Sequence, residues 1–246
     1  MAVLVTRPEP DNEATASTLR ARGFEVLLAP MLRFEQVLRH DDAGDRYGAV
    51  IVTSANALRA APADLAAIRS LPLFAVGERT AEAARDAGFP QVTVADGNLA
   101  ALRDLIVASA RAKKLRKAHP LLYLAGADLA GDLAGELEAE GFHVVTRTTY
   151  RMVPVPKLPQ QTVDAFAASA IDAVLHYSRR SARAFLDAAR GGGVEISALA
   201  TPQCCISDSV AAILREAGAT QLAVARTADE NGLFEALQRA LAAPSR

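Results

Sequence analysis

The stretch Pro72-Leu73-Phe74-Ala75-Val76-Gly77-Glu78-Arg79-Thr80-Ala81-Glu82-Ala83-Ala84-Arg85-Asp86-Ala87-Gly88-Phe89 decides how the chain is read. Its apolar opening is too short for a helix and is bounded by Pro72 and Gly77, which predicts a buried strand. Gly77 is expected to supply a tight turn at the strand's end. Ala81, Ala84 and Ala87 then repeat at helical spacing, and Gly88 closes the helix. A turn between a strand's carboxyl end and a helix's amino end presents free backbone N–H groups, a seat for a carboxylate or phosphate.

The pattern recurs near the end of the chain. Cys204-Cys205-Ile206-Ser207-Asp208-Ser209-Val210-Ala211-Ala212-Ile213-Leu214-Arg215-Glu216-Ala217-Gly218 repeats the strand, turn, helix and closing glycine, with Gly88 and Gly218 130 residues apart. At the same separation Ala95-Asp96-Gly97 stands against Ala225-Arg226-Thr227, each before a helical pattern (Leu99 to Ala108, and Glu230 to Leu241). Upstream, Val50-Ile51-Val52-Thr53-Ser54-Ala55-Asn56-Ala57 resembles Val174-Leu175-His176-Tyr177-Ser178-Arg179-Arg180-Ser181-Ala182. One fold is used twice.

A further unit breaks simple tandem order. Ala2 to Thr6 reads as a strand, Asn12 to Arg22 as a helix ended by Gly23, and Phe24 to Leu28 as the next strand. Its counterpart is strand Leu121 to Leu124, helix Leu129 to Glu140, Gly141 and a following strand. The unit stands first in one half and last in the other. The chain is therefore expected to begin one domain, leave to build a second, and return to finish the first. On this reading 1–32 and 154–246 make a discontinuous first α/β domain and 38–148 the second. Segments 33–37 and 149–153 are the linker strands, extended and alternating, with Pro154, Pro156 and Pro159 opposing helix. Adjacent crossings of opposite direction pair as antiparallel strands. Strands alternating with helices imply parallel sheets covered on both faces, with ligands beyond the strands' carboxyl ends. A cleft between the two domains is the expected site.

Composition fits this picture. The 246 residues suit two domains, and 51% hydrophobic content fills two cores. No apolar run approaches the ~20 residues of a membrane span, and Arg7 and Pro8 interrupt any leader-like start. Cys204 and Cys205 are adjacent, poor disulfide partners, and suit a reducing cytoplasm. They and the scattered His40, His119, His143 and His176 lack metal-ligand spacing, so no metal is expected. A net charge of −1 gives no general affinity for nucleic acid. The basic run Arg111 to Lys117 lacks interleaved aromatics and reads as a solvated loop. There is no phosphate loop and no Ser-His-Asp order.

The chain resembles the uroporphyrinogen-III synthase family over nearly its whole length. The resemblance is carried by Val5-Thr6-Arg7-Pro8, Ile51-Val52-Thr53-Ser54-Ala55-Asn56-Ala57, Ala75-Val76-Gly77-Glu78-Arg79-Thr80-Ala81 and Thr149-Tyr150-Arg151. Tyr177-Ser178-Arg179-Arg180-Ser181-Ala182 and Ile206-Ser207-Asp208-Ser209-Val210-Ala211 continue it. It implies an α/β fold of two flavodoxin-like parallel-sheet domains joined by a two-stranded linker. It also implies a lyase without cofactors that cyclises hydroxymethylbilane, a linear tetrapyrrole, to uroporphyrinogen III. Loss of the ring A hydroxyl gives an azafulvene cation, which ring D attacks through its substituted carbon. The resulting spiro intermediate fragments and recloses with ring D inverted. A cytoplasmic monomer with a small-molecule substrate, and neither nucleic acid nor membrane as partner, is the expectation.

By this resemblance Tyr150 is the candidate catalytic residue, assisting departure of the ring A hydroxyl. Thr53, Ser54, Thr80 and Ser178 match hydroxyl positions after strands, suited to the substrate's eight carboxylates. Gly77 and Ser207 mark the two helix-start turns. Arg7, Arg79, Arg151, Arg179 and Arg180 fall near predicted strand ends, where a guanidinium forks onto a carboxylate. Of these, Arg7, Arg79 and Arg179 join the substrate-binding set. Blander readings stand beside each: tyrosine as packing, Ser and Thr as helix caps, arginine as solvated charge. The sequence departs from the family pattern at Ser207-Asp208, where glycine is common, and at Arg179, where proline is frequent. Two other classes remain open, a non-catalytic tetrapyrrole- or anion-binding module and a two-domain small-molecule receptor.

Overall fold

A computed structural model describes residues 1–37, 46–60 and 65–242. His40 and the expected domain limits 38 and 246 lie outside these described residues. The chain runs β1 (Ala2–Val5), α1 (Asp11–Ala21), β2 (Glu25–Leu28), β3 (Leu32–Gln36), β4 (Ala49–Val52), α2 (Ala55–Arg59) and β5 (Leu73–Ala75). It continues through α3 (Glu78–Asp86), β6 (Val92–Val94), α4 (Leu99–Arg111), β7 (Leu121–Gly126), α5 (Leu133–Ala139) and β8 (Val144–Pro154). The remainder is α6 (Gln160–Ala167), β9 (Ala173–His176), α7 (Arg179–Gly191), α8 (Glu195–Ala200), β10 (Gln203–Cys205), α9 (Asp208–Glu216), β11 (Leu222–Val224) and α10 (Glu230–Ala242).

By density of contacts the chain divides into Met1–Phe34 with Val153–Arg246, and Glu35–Met152. In the first unit the sheet order is β11-β10-β9-β1-β2, all parallel. Counted within the unit this is the flavodoxin-like order 2-1-3-4-5. The other sheet runs β3-β8-β7-β4-β5-β6, and β4 to β8 are parallel. Taking β7 and β8 as its first two strands restores the order 2-1-3-4-5. The second unit is thus a rotated copy of the first, which is why the Leu121 unit stands last in its half.

The central strands are short, apolar and buried on both faces, as parallel strands covered by helices must be. β1 (Ala-Val-Leu-Val) and β4 (Ala-Val-Ile-Val) are buried at every position. In the second unit, alternation sends Ile51, Phe74 and Leu121 to one core and Val50, Val52 and Leu122 to the other. Each such side chain contributes roughly 1.5–3 kcal/mol by leaving water.

Two details depart from the sequence reading. Helix α5 starts at Leu133, because Asp132 caps it by accepting the Gly135 N–H at 2.9 Å. The segment from Leu129 to Asp132, expected to open the helix, is loop. Residues 149–153 are the outer part of the continuous strand β8. Beside them the Val37 N–H donates to Thr149 O at 2.9 Å and the Val155 N–H to Met31 O at 3.0 Å. Residue numbers rise on one segment as they fall on the other, the sense of an antiparallel pair.

His176, at the end of β9, is fully buried. Gln203 spends both amide hydrogens on Ala198 O (2.7 Å) and Thr201 O (2.6 Å). Its Oε1 is therefore left to accept from His176 Nε2 at 2.7 Å, which fixes a neutral imidazole with its proton on Nε2. Burial drives the imidazole pKa down from 6.5 to about 4, against a smaller opposing effect of Gln203. The unfolded chain thus takes up this proton first as pH falls. Stability from His176 is full above about pH 6.5 and drains away toward pH 4, amounting to roughly 3 kcal/mol. We expect urea titrations from pH 7 to pH 4 to lose stability on this limb, and His176→Asn, which cannot take up the proton, to flatten it.

Candidate active site

Strands β4 and β7 are neighbours in the sheet although β5 and β6 intervene in sequence. This is the point where strand order reverses, and in open α/β sheets ligands bind beyond the carboxyl ends there. Ile51 pairs with Tyr123, so Thr53, two residues beyond Ile51, is Tyr123's diagonal neighbour on one face. The Tyr123 phenol, 2% exposed, lies 3.0 Å from Thr53 Oγ1. Burial pushes this phenol above the ordinary tyrosine range; the Thr53 hydrogen bond works against the shift and nearby Tyr150 adds to it. Tyr123 is a neutral hydroxyl at physiological pH.

On the other side of β7 a bulge sets the position of Tyr150. Ala125 pairs with Thr148 but Gly126 pairs with Tyr150, so Thr149 is the extra residue. Thr149 is buried, and its hydroxyl donates to Ala125 O at 3.3 Å. Tyr150 O in turn accepts the Ala127 N–H at 2.8 Å. The Tyr150 ring lies over Gly126 so closely that a Cβ there would stand 2.7 Å from Cζ and 2.9 Å from the phenol oxygen. Only glycine leaves room for the ring.

Between these elements lies a cavity of about 490 Å³ lined by Thr53, Ser54, Val76, Gly97, Asn98, Tyr123, Gly126, Asp128, Tyr150 and the apolar Leu99, Leu129 and Ala130. Its polar lining is rich in donors. Ser54 Oγ caps α2 by accepting the Asn56 N–H at 3.3 Å, which leaves its own hydrogen to donate. Asn98 Oδ1 caps α4 by accepting the Ala101 N–H at 2.8 Å, which leaves the side-chain NH₂. Among the described residues, Asp128 is the one acidic member of this lining. The cavity suits a ligand that accepts hydrogen bonds, such as a carboxylate.

The structure thus brings Thr53, Ser54 and Tyr150 together, and it treats the other expected residues differently. Gly77 is extended (φ −168°), a conformation any residue adopts, and a Cβ on it would make an ordinary 3.5 Å contact with Gly97 Cα. The glycine-dependent turn is at Gly97 (φ +80°), whose N–H donates to Val76 O at 2.8 Å. Thr80 is buried on the inner face of α3, and Arg79 is exposed on that helix. In the first unit, Ser178 and Ser207 are the N-caps of α7 and α9, and Arg179 is exposed. The Ser178 hydroxyl accepts the Ser181 N–H at 3.1 Å, while Ser207 Oγ lies 3.0 Å from Ser209 Oγ. Arg7 is engaged with Glu230 (2.8 Å), Thr15 (3.1 Å) and Asp11 (3.4 Å), and lies 4.8 Å over the Tyr177 ring. Two carboxylates of its own chain already occupy it.

Tyr123, Asn98, Gly97, Gly126 and Asp128 escaped the sequence reading. Asn98 carried a signal, as a capping residue directly before a helical pattern. Tyr123 and Gly126 carried none, because their roles depend on strand register. Two cavities of about 530 and 570 Å³ in the first unit share Pro202, Gln221 and Ala240. The larger also takes in Met1 and Asp172, at the amino ends of β1 and β9. That is the sheet end opposite the one where such folds bind ligands. Among the described residues no group of three or more His, Cys, Asp or Glu is arranged for a metal ion, and no helix is long and apolar enough to cross a membrane.

Paired doubly wound units with a donor-rich cavity at a strand-order reversal make this a two-unit α/β protein suited to an anionic small molecule. The family described as uroporphyrinogen-III synthase HemD matches residues 13–235, and the chain belongs to that family, the cyclising lyases of tetrapyrrole biosynthesis. Among solved structures, the uroporphyrinogen-III synthetase of Helicobacter pylori is similar over 97% of this chain and 98% of its own, at 16% identity and TM-score 0.65. A mutant uroporphyrinogen III synthase of Thermus thermophilus is similar over 98% of each chain, at 20% identity and TM-score 0.55. At these identities the likeness is one of fold. Comparison with curated proteins gives no match.

The tight seat of Tyr150 is open to test. We expect Gly126→Ala to push the Tyr150 ring aside and lower turnover by about tenfold or more, since the ring is the movable partner in the clash. Gly77→Ala, with ordinary contacts only, should leave melting temperature and turnover close to those of the parent. Comparing both variants by thermal melts and initial rates checks the pair.

Proposed function

We propose that the chain acts as uroporphyrinogen-III synthase, cyclising hydroxymethylbilane to uroporphyrinogen III with inversion of ring D and loss of one water, as a cytoplasmic monomer. The observation that carries the site assignment is the clustering of Thr53, Ser54 and Tyr150 around one cavity at the β4–β7 reversal. In this reading the hydroxyls and the Asn98 amide hold carboxylates of the tetrapyrrole, and the Tyr150 phenol faces the ring A hydroxymethyl group. The C–O bond at ring A breaks and the oxygen leaves as water, taking up a proton that Tyr150 supplies. Ring D then attacks through its substituted carbon, the spiro intermediate reopens and recloses with that ring turned over, and the proton lost as the last ring regains aromaticity restores the phenol.

Closure without an enzyme yields the uninverted isomer, so the protein's task is chiefly to fix the substrate's conformation. Proton donation adds to this, typically about 10²–10⁴-fold for a positioned acid. The ring A hydroxyl departs readily, which places Tyr150 at the lower end. The remaining substrate-binding assignments follow from position at strand ends. Ser178, Ser207 and Arg179 belong to the first unit's helix starts; Gly77, Arg79 and Thr80 belong to the start of α3. Arg7 contributes only if its pairing with Glu230 and Asp11 is released.

Isomer analysis of the product tests the whole reading. We expect the protein to convert hydroxymethylbilane to the type III isomer, whereas a non-catalytic binder would leave only the type I background. Tyr150→Phe keeps the ring over Gly126 while deleting the hydroxyl. Turnover should fall roughly ten- to a hundredfold at unchanged melting temperature, with type III still the product. Wild-type turnover in that variant would reduce Tyr150 to a packing residue.

A further inference from the structure

Tyr123 is a buried polar group that the proposed reaction leaves without a role. A tyrosine within a parallel strand covered on both faces needs a partner for its hydroxyl, since an unpaired one costs about 1–3 kcal/mol. Its hydrogen-bond partner here is Thr53 Oγ1 at 3.0 Å. Phe at this position would fill nearly the same volume in the core formed with Ile51, Phe74 and Leu133. The phenol oxygen thus adds nothing to packing and acts on Thr53.

A threonine hydroxyl has one hydrogen and two lone pairs, so what it offers a ligand depends on what its neighbour takes. Tyr123 is 2% exposed and keeps its proton at neutral pH, so it has a hydrogen to give to Thr53 Oγ1, 3.0 Å away. When it donates to Thr53 Oγ1, the threonine hydrogen is freed, and Thr53 lines the cavity beyond the strand end. Hydrogen bonds to an ionised acceptor are about twice as strong as neutral ones, and a pre-oriented donor loses no orientational freedom when the anion arrives.

We propose that Tyr123 is a positioning residue that orients the Thr53 hydroxyl as a hydrogen-bond donor toward a carboxylate of the ligand in the β4–β7 cavity. The inference rests on the substrate assigned above, because it takes the ligand to be a polycarboxylate. In this reading Tyr123 acts through Thr53, the residue its hydroxyl meets at 3.0 Å. The register that pairs Ile51 with Tyr123 makes the contact possible, and Ser54 and Asn98, each held by its own helix cap, complete a row of donors fixed before binding.

The test is a double-mutant cycle read by binding. Uroporphyrin, the oxidised macrocycle with eight carboxylates, is titrated by fluorescence into the full-length wild type, Tyr123→Phe, Thr53→Val and the double variant. We expect each single variant to bind about tenfold more weakly, and the double variant no more weakly than either single one. With hydroxymethylbilane, Tyr123→Phe should raise KM by a similar factor and leave kcat within about twofold. Equal affinity of wild type and Tyr123→Phe, including absence of binding by both, overturns the inference, and so do losses that simply add. Should Tyr123→Phe melt early, Thr53→Val alone decides, and wild-type affinity in that variant also overturns it. Failure of the synthase assignment would show separately, as absence of type III product from the wild type.

Discussion

The placing of Ile51 opposite Tyr123 is the constraint on which the rest of the second unit depends. A parallel register fixes both faces of the sheet at once, because side chains alternate with a period of two. From this pairing follow the two cores, the diagonal meeting of Tyr123 with Thr53, and the exit of β4 and β7 on either side of one hollow. A slip by one residue would exchange Ile51 and Val52 between faces and carry Thr53 out of the phenol's reach. The bulge at Thr149 is a local exception to this regularity, and it brings Tyr150 over Gly126.

Much of the fold was legible in the sequence because its signals are local. Apolar tetrads such as Ala49 to Val52, helical alanine spacing, and closing glycines such as Gly88 and Gly218 each speak for their own segment. Both of those glycines have positive φ, as helix-closing glycines require. The rotated order could be inferred because a strand-helix-strand unit can be recognised wherever it stands. The site was legible only in part. Thr53, Ser54 and Tyr150, which share one cavity, were named through family resemblance, whereas Tyr123, Asn98 and Gly126 reach its lining through strand pairing and helix starts that no short window reveals. Gly77 failed as the turn because a helix cap needs only extended backbone, and Gly97 supplies the left-handed residue beside it.

Two of the strand-end arginines meet carboxylates of their own chain. Strand-end arginines are natural partners for carboxylates, yet Arg7 is held by Glu230 and Asp11, and Arg151 donates to Glu35 at 2.8 Å. A flexible cation of this kind has acceptors close at hand in its own chain. A cap hydroxyl that accepts a backbone N–H keeps its hydrogen to give. Such donors discriminate by direction, and a tetrapyrrole that must be folded in one way needs direction more than charge.

The division of the chain has a consequence for the ribosome. Strand β1 pairs with β9, Val3 meeting Ala173, so the first sheet cannot close until the stretch between them has been synthesised. At about 5–20 residues per second, this leaves β1, α1 and β2 waiting on the order of ten seconds as a short, partly apolar strand-helix-strand unit. The second unit, Glu35–Met152, contains all the partners of β4 to β7 and is able to fold in that interval. Of the first sheet, the strands made earliest are completed last, and until β9 arrives β1 lacks its partner on one edge.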